Sequence, residues 1–368
     1  MIYGSRVRQM REIFQLTQSE LAAEIPDLTQ SRLSRIESDL APVDARSAAI
    51  FSAVFGMSEE FFRRRPTSGL SSLTPQLRSR GKLTKIAKNG ALELANLVLE
   101  EYVRLHDGVK PPPIRIEPLY GMAPDDAAKT VRGLLGFTPA EPLPYLLLAV
   151  ERAGVRVLGL PLTLDALDAF CVWHDGHPTV AILANAPGDR LRFSVAHEIG
   201  HLVLHDGRRS DSRHLEGEAD RFAAELLTPK QVLADLMPRN ITLRSLTMVK
   251  TQWGVSVKSL VRTARELNLI DQQRAVSLYR QMSARKWNRS EPGYVPREKP
   301  RALRKLAELR YGSGPNTQLF AAESGWSEEL VLSVLEQHAT EDELPFESGP
   351  ATHFGNVVTL SRRTRAVR

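Results

Sequence analysis

Five residues near the middle of the chain, His197-Glu-Ile-Gly-His201, narrow the choice of fold more than any other stretch. On a helix of about 3.6 residues per turn, histidines four apart lie one above the other, so both imidazoles can reach a single cation. Glu198 starts the next row of that face. Two histidine nitrogens hold a zinc ion at about 2.0–2.1 Å and leave a position open for water, whose proton a neighbouring glutamate can take. A solvated amphipathic helix satisfies the same five letters, so the surroundings have to decide.

The metal helix is expected over 190–205, and a carboxylate-rich helix follows over Leu215-Glu-Gly-Glu-Ala-Asp-Arg-Phe-Ala-Ala-Glu-Leu-Leu-Thr-Pro229. A third ligand has to come from this second helix unless His205 replaces it. Glu216 and Asp220 are four apart and share a face. This permits Glu216 to bind metal while Asp220 orients a ligand histidine through its other ring nitrogen. Glu218 points elsewhere if Glu216 points inward, and it stands as the alternative ligand. A zinc site with a third histidine six residues past His201 is excluded, because that position is Gly207.

The rest of the chain supplies a setting. Its 368 residues suffice for two to three domains, and 42% hydrophobic with 25% charged residues is ordinary for a globular protein. A net charge of +6 admits a polyanionic partner. The single cysteine, Cys171, excludes an internal disulfide framework and a cysteine-rich zinc module, and it fits a reducing cytoplasm. No stretch approaches the roughly 20 apolar residues of a membrane helix, so no membrane partner is expected. The start, Met1-Ile-Tyr-Gly-Ser-Arg, carries no apolar signal region.

Residues 4 to 62 read as short helices. Val7, Met10 and Phe14 mark the apolar stripe of the first, and Thr17 with Glu20 forms a capping box opening a second through Ala23. Thr29 caps a third over Gln30 to Glu37, and Ser47–Phe55 and Ser58–Phe62 add two more. Two short helices about a tight turn are the makings of a helix-turn-helix. On that reading Gln30, Ser31 and Arg32 open the recognition helix and reach base edges, while Gln18 and Arg35 are placed for phosphates.

Arg63-Arg-Arg-Pro-Thr-Ser-Gly-Leu-Ser-Ser72 marks a boundary, and the basic run Arg78, Arg80, Lys82, Lys85 and Lys88 reads as a solvated face. A helix over 83–105 connects the halves and ends before Pro111-Pro-Pro113. Helices over 125–135 and 143–153 precede three strands at 155–160, 169–173 and 179–183. His174-Asp-Gly-His177 forms a hairpin turn whose histidines are expected in solvent. The sheet edge can take an extended peptide by strand addition, and Cys171 is expected as a buried structural thiol. A helical pair spans 243–267 about Trp253-Gly254. The tail from Arg285 to Arg310 is basic and proline-interrupted, two short helices fall within 317–337, and 359–368 is a disordered end.

Leu16-Thr-Gln-Ser-Glu-Leu-Ala22, Thr29-Gln-Ser-Arg-Leu-Ser-Arg-Ile-Glu37 and Phe55-Gly-Met-Ser-Glu-Glu-Phe-Phe62 resemble the XRE family of phage-repressor-like DNA-binding domains. Pro26-Asp27 stands where that family usually has a glycine. Glu151-Arg-Ala-Gly-Val-Arg-Val157, Arg192-Phe-Ser-Val-Ala-His-Glu-Ile-Gly-His-Leu-Val-Leu-His205 and the segment from Glu216 to Pro229 resemble the ImmA/IrrE metallopeptidase family, with Trp253-Gly-Val-Ser-Val-Lys-Ser-Leu260 and Glu291-Pro further on. Thr228 stands where that family often has methionine. The second resemblance implies gluzincin-like proteolysis of repressor proteins, with one Zn2+ on His197, His201 and Glu216 and with Glu198 as the base.

The expected fold is α+β and mostly helical. It comprises a five-helix helix-turn-helix domain (1–66), a linker and connecting helix (67–113), a zincin-like domain with a small sheet (114–295), and a basic helical C-terminal region (296–368). The expected function is a DNA-binding regulator with a zinc endopeptidase domain. Its partners would be double-stranded operator DNA, a repressor substrate and a second copy in a homodimer. The alternative is a non-catalytic transcription factor that uses the peptidase-like fold to sense a ligand or partner.

Overall fold

The computed structural model describes residues 2–67, 83–184, 186–205, 212–287 and 290–343. Arg78, Arg80 and Lys82, the end of the expected linker, Gly207 and the 359–368 tail lie outside the described residues.

Five helices open the chain: α1 (Gly4–Ile13), α2 (Gln18–Ala23), α3 (Gln30–Glu37), α4 (Ala45–Phe55) and α5 (Glu59–Arg63). The caps fall where the residue types demand. Thr17 accepts from the Glu20 amide in a full capping box, and Thr29 accepts from the Arg32 amide at 3.2 Å. Helix α4 starts two residues ahead of expectation because Asp44 caps it, accepting from the Ser47 amide at 2.7 Å. Asp27 takes φ +63° between α2 and α3. Aspartate is among the few side chains that tolerate this left-handed conformation, so the turn closes without a glycine.

Helix α6 (Lys85–Leu105) packs along α1, followed by α7 (Pro124–Leu134) with proline in its first turn and α8 (Leu146–Arg152). Helix α8 begins later than expected, after Pro144, whose ring disfavours a helical conformation in the residue before it. Strands β1 (Arg156–Leu160), β2 (Ala169–His174) and β3 (His177–Leu183) form a sheet of order β1-β3-β2. Strands β1 and β3 run parallel, while β2 and β3 form a hairpin that pairs His174 with His177. Asp175 and Gly176 turn it at φ +49° and +74°, the sign that two-residue hairpins require at both positions. His174 is buried at the end of β2, not solvated as its place beside a polar turn suggested.

Then come α9 (Gly188–Leu204), α10 (Ser212–Leu227), α11 (Lys230–Leu236), α12 (Leu243–Trp253), α13 (Val257–Glu266) and α14 (Gln272–Ala284). Helices α15 (Ala302–Tyr311), α16 (Thr317–Ser324) and α17 (Glu328–Glu336) follow, and a 3-10 turn at Glu341–Glu343 ends the described chain.

The sheet is buried on both faces, and strand alternation sorts its residues between two cores. Leu158, Leu160, Phe170, Ala181 and Leu183 join the core of α1–α6 and α15–α17. Val157, Ala169, Cys171, Val180 and Ile182 join that of α7–α14. Helices α6 and α15 therefore pack on one face of the sheet, with α1 packed along α6, while the histidine-bearing helix α9 packs on the opposite face.

Candidate metal centre

Helix α9 lies on β2 and β3 and is nearly sealed from solvent at its motif: His197, Glu198 and His201 are buried. Trp173 on β2 donates its indole N–H to the Leu202 carbonyl at 2.9 Å, fixing the strand against the helix. Helix α10 crosses on the other side. The crossing is close because residue 200 is glycine. A Cβ there would stand 3.0 Å from the Phe222 ring and 3.2 Å from the Ala219 Cα. Glycine inside the motif thus trades helix propensity for the approach that brings a carboxylate of α10 to the histidines.

That carboxylate is Glu216. Its two oxygens lie 3.4 Å from His197 Nε2 and 3.4 Å from His201 Nε2, and the two Nε2 atoms are 3.0 Å apart. Among the described residues, His197, His201 and Glu216 offer ligand atoms that all lie within 4.8 Å of one another. Ligands at about 2.0–2.1 Å around a tetrahedral zinc stand about 3.3 Å from each other, so this donor set and its spacing suit that ion. Burial pushes the Glu216 carboxyl up, but hydrogen bonds from both histidines outweigh it and hold the group well below the ordinary carboxylate range.

The remaining carboxylates of α10 face other partners. Asp220 accepts from His197 Nδ1 at 2.9 Å and lies 3.5 Å from Arg262. Glu218, the alternative ligand of the sequence reading, meets His205 at 3.1 Å and His214 at 3.3 Å on the outer side of α9. His205 turns away from the cluster as well, with its Nδ1 2.9 Å from His201 Nδ1. Burial pushes the His205 imidazole below its ordinary pKa, against the pull of the Glu218 carboxylate.

Cys171 is buried on β2 as expected, and its thiol donates to Glu198. Burial pushes the thiol far up, and the Glu198 charge pushes it further. Nothing in a strand pattern announces this neighbour, because it depends on how β2 lies under α9.

Before Glu198 lies a pocket of about 120 Å³ lined by Asp168, Ala169, Arg190, Phe193, Ser194 and His197 as well. Asp168 accepts from the Ser194 hydroxyl at 3.3 Å and pairs with Arg190 at 3.2 Å. Arg190 and Phe193 also border a cleft of about 800 Å³ that includes Trp287, Tyr294 and Lys258. Phe193 and Lys258 border another hollow, of about 280 Å³, with Asp220, Arg262 and Tyr279. The two larger hollows adjoin each other at Phe193 and Lys258, and Phe193 also lines the pocket before Glu198.

This geometry meets an independent finding. Residues 150–265 match the IrrE N-terminal-like domain of peptidase family M78. The match runs from α8 through α13 and takes in the sheet, both site helices and every proposed ligand. A zincin-like metallopeptidase-type domain therefore occupies the middle of the chain. A search of curated proteins finds no match.

The N-terminal residues singled out for DNA lie apart from the M78 domain. Gln30, Ser31, Arg32 and Arg35 are exposed on α3. Gln18 bridges inward, donating to Glu37 at 2.8 Å and accepting from Gln30 at 2.7 Å, while Arg32 pairs with Asp44 at 2.8 Å. Buried Arg11 holds Glu37 from below at 2.6 Å, so a chain of polar contacts fixes the start of α3. No described helix is long and apolar enough to cross a membrane.

Proposed function

We propose that the protein is a DNA-binding transcriptional regulator whose M78 domain is a zinc-dependent endopeptidase acting on a repressor or another regulatory protein. The observation that carries the metal reading is the convergence of His197 Nε2, His201 Nε2 and Glu216 within 4.8 Å, beside a buried Glu198. In this reading His197, His201 and Glu216 hold the ion, and Asp220 orients His197 by accepting its Nδ1–H. Zinc, when bound, supplies Lewis-acid polarisation of a scissile carbonyl and makes a water acidic enough to lose its proton near neutral pH. Glu198 accepts that proton and returns it to the leaving amine. The Cys171 thiol holds one edge of the Glu198 carboxylate, and the rigid seat of α9 on β2 keeps the base aimed at the pocket. The substrate lies extended along the free edge of β2, which pairs inside the sheet with β3.

Two measurements test this. Metal analysis of the purified protein is expected to find one zinc per chain, lost in Glu216→Ala. Glu198→Gln is expected to keep zinc yet lose cleavage of a co-expressed repressor. Cleavage that persists in Glu198→Gln removes Glu198 as the base.

The exposed row Gln30, Ser31, Arg32 and Arg35 supports the DNA reading, with a homodimer on a two-fold operator in the reducing cytoplasm. Gln30 and Arg32 read base edges, Ser31 adds a hydroxyl, and Gln18 and Arg35 contact phosphates. Gel shifts at increasing salt are expected to show steep weakening. Binding without salt response would reject this surface.

A further inference from the structure

We infer that His205 and Glu218 form a positioning relay for His201, as Asp220 does singly for His197. The inference rests on the zinc reading above, and it begins from which ring nitrogen faces which partner. Both site histidines turn Nε2 toward the shared centre with Glu216. A neutral imidazole that ligates through Nε2 carries its proton on Nδ1, and that N–H needs an acceptor. For His197 the acceptor is the Asp220 carboxylate at 2.9 Å. For His201, the atom facing Nδ1 is His205 Nδ1, at 2.9 Å.

That contact fixes the second ring too. His205 can accept through Nδ1 only as the tautomer that carries its proton on Nε2. Its Nε2 lies 3.1 Å from a Glu218 oxygen, the acceptor this tautomer requires. Every donor in the series His201, His205, Glu218 thus has one acceptor, and the chain ends on a carboxylate. The two ligand histidines are oriented unequally, one by a carboxylate directly and one by a carboxylate acting through an imidazole.

The placement follows from the fold. His205 is the C-cap of α9, with extended backbone, and its amide still bonds to the His201 carbonyl at 3.2 Å. This sets its ring one turn beyond His201, where α10 presents Glu218. His205 is buried, so water does not compete for the contact. Removing it takes away the nitrogen 2.9 Å from His201 Nδ1, and the ring loses a contact that fixes its orientation. Groups in this position typically alter metal affinity about 10–100-fold.

The test compares zinc affinity, by competition with a chromophoric chelator, across variants whose metal-free forms show the wild-type thermal unfolding. His205→Ala and His205→Gln are expected to bind zinc about 10–100-fold more weakly. His205→Asn is expected to recover most of the loss, because its amide oxygen can sit where Nδ1 was, whereas the longer glutamine places its oxygen near the former Nε2. Glu218→Ala is expected to weaken binding less than His205→Ala, since the direct acceptor survives. If wild-type protein binds zinc and His205→Ala binds it equally, the relay is wrong while the metal site stands. Equal losses in the asparagine and alanine variants would mean that His205 only fills space. A wild-type chain that binds no zinc overturns the site and the relay together.

Discussion

Arg192 sits five residues before the first site histidine and touches nothing of the site. It is buried, and its guanidinium donates to the carbonyls of Gly254 at 3.1 Å and Pro144 at 3.4 Å, to that of Leu143, and to the Glu298 carboxylate. Helix α9 is thereby tied to the α12–α13 turn, the start of α8 and the segment before α15. Removing one partner of such a buried pair strands the other charge, which costs about 3–5 kcal/mol. Arg192→Met is therefore expected to lower the denaturant midpoint sharply and to reduce zinc loading. Arg192→Met with Glu298→Met is expected to regain part of that stability, measured in the same unfolding experiment. Cys171 makes a second residue-level prediction. With its thiol buried and its pKa pushed up, it is expected to resist maleimide in native protein and to label fully in denaturant. Rapid native labelling would contradict the packing of β2 under α9. These residues also show what the sequence makes legible. The motif histidines and Glu198 announce themselves by spacing, and Glu216 with Asp220 by a shared helical face. The partners Cys171 for Glu198 and Glu298 for Arg192 lie across the fold, and no periodicity pairs residues 106 apart.

At the scale of elements, two long-range contacts attach the C-terminal helices to the M78 domain, and each should respond to pH. Helix α15 lacks a side-chain cap of its own. Glu151 on α8 serves instead, accepting from the Arg301 amide at 2.9 Å and the Ala302 amide at 3.0 Å. Burial pushes the Glu151 carboxyl up to about 7, against the hydrogen bonds that lower it. An acid raised in the folded state contributes stability fully below its ordinary value of 4.5, and that stability is lost as pH rises through about 7. At the other end, His338 follows α17, donates from Nδ1 to the Val334 carbonyl at 2.7 Å and accepts from the Gly159 amide at 3.0 Å. Burial pushes it down to about 4. A histidine held neutral loses its contribution as pH falls from its ordinary 6.5 toward about 4. The two slopes oppose each other in mildly acidic solution, so variants are needed to separate them. Glu151→Gln is expected to flatten thermal stability on the neutral side, and His338→Gln on the acid side. An unchanged pH profile in either variant would reject that contact as its source. Gly159→Ala tests the second contact independently of pH. Its Cβ would stand 2.8 Å from the Gln337 Cβ, and such overpacking costs about 1–3 kcal/mol. The sequence names the α16–α17 region correctly as two short helices. Helix α14, which precedes the basic tail, is not singled out by it, and α15 is anticipated only as part of a basic helical C-terminal region, because the prolines interrupting that tail hide where its helix begins.

At the scale of the whole molecule, three short strands are the structural partition between the helices proposed to meet DNA and those proposed to hold zinc. Neighbouring residues of one strand serve different halves: Phe170 enters the core with α1–α6, while Cys171 enters the other and meets Glu198. Neither core can lose the sheet without exposing a strip of aliphatic side chains, so the halves are expected to unfold together. Two buried tryptophans make this measurable. Trp326 lies in the first core and Trp253 in the second. Variants retaining one or the other as the sole tryptophan are expected to give coincident urea transitions, as a two-state unit requires. Leu160→Ala should then sharpen the case. Leu160 faces only the first core, and truncating a fully buried leucine costs about 2–5 kcal/mol. If the sheet joins the halves, the midpoint reported by Trp253 falls as far as that reported by Trp326. If the Trp253 transition stays in place while the Trp326 transition moves, the M78 domain stands alone. A signal between zinc and DNA would then need a route other than the shared strands.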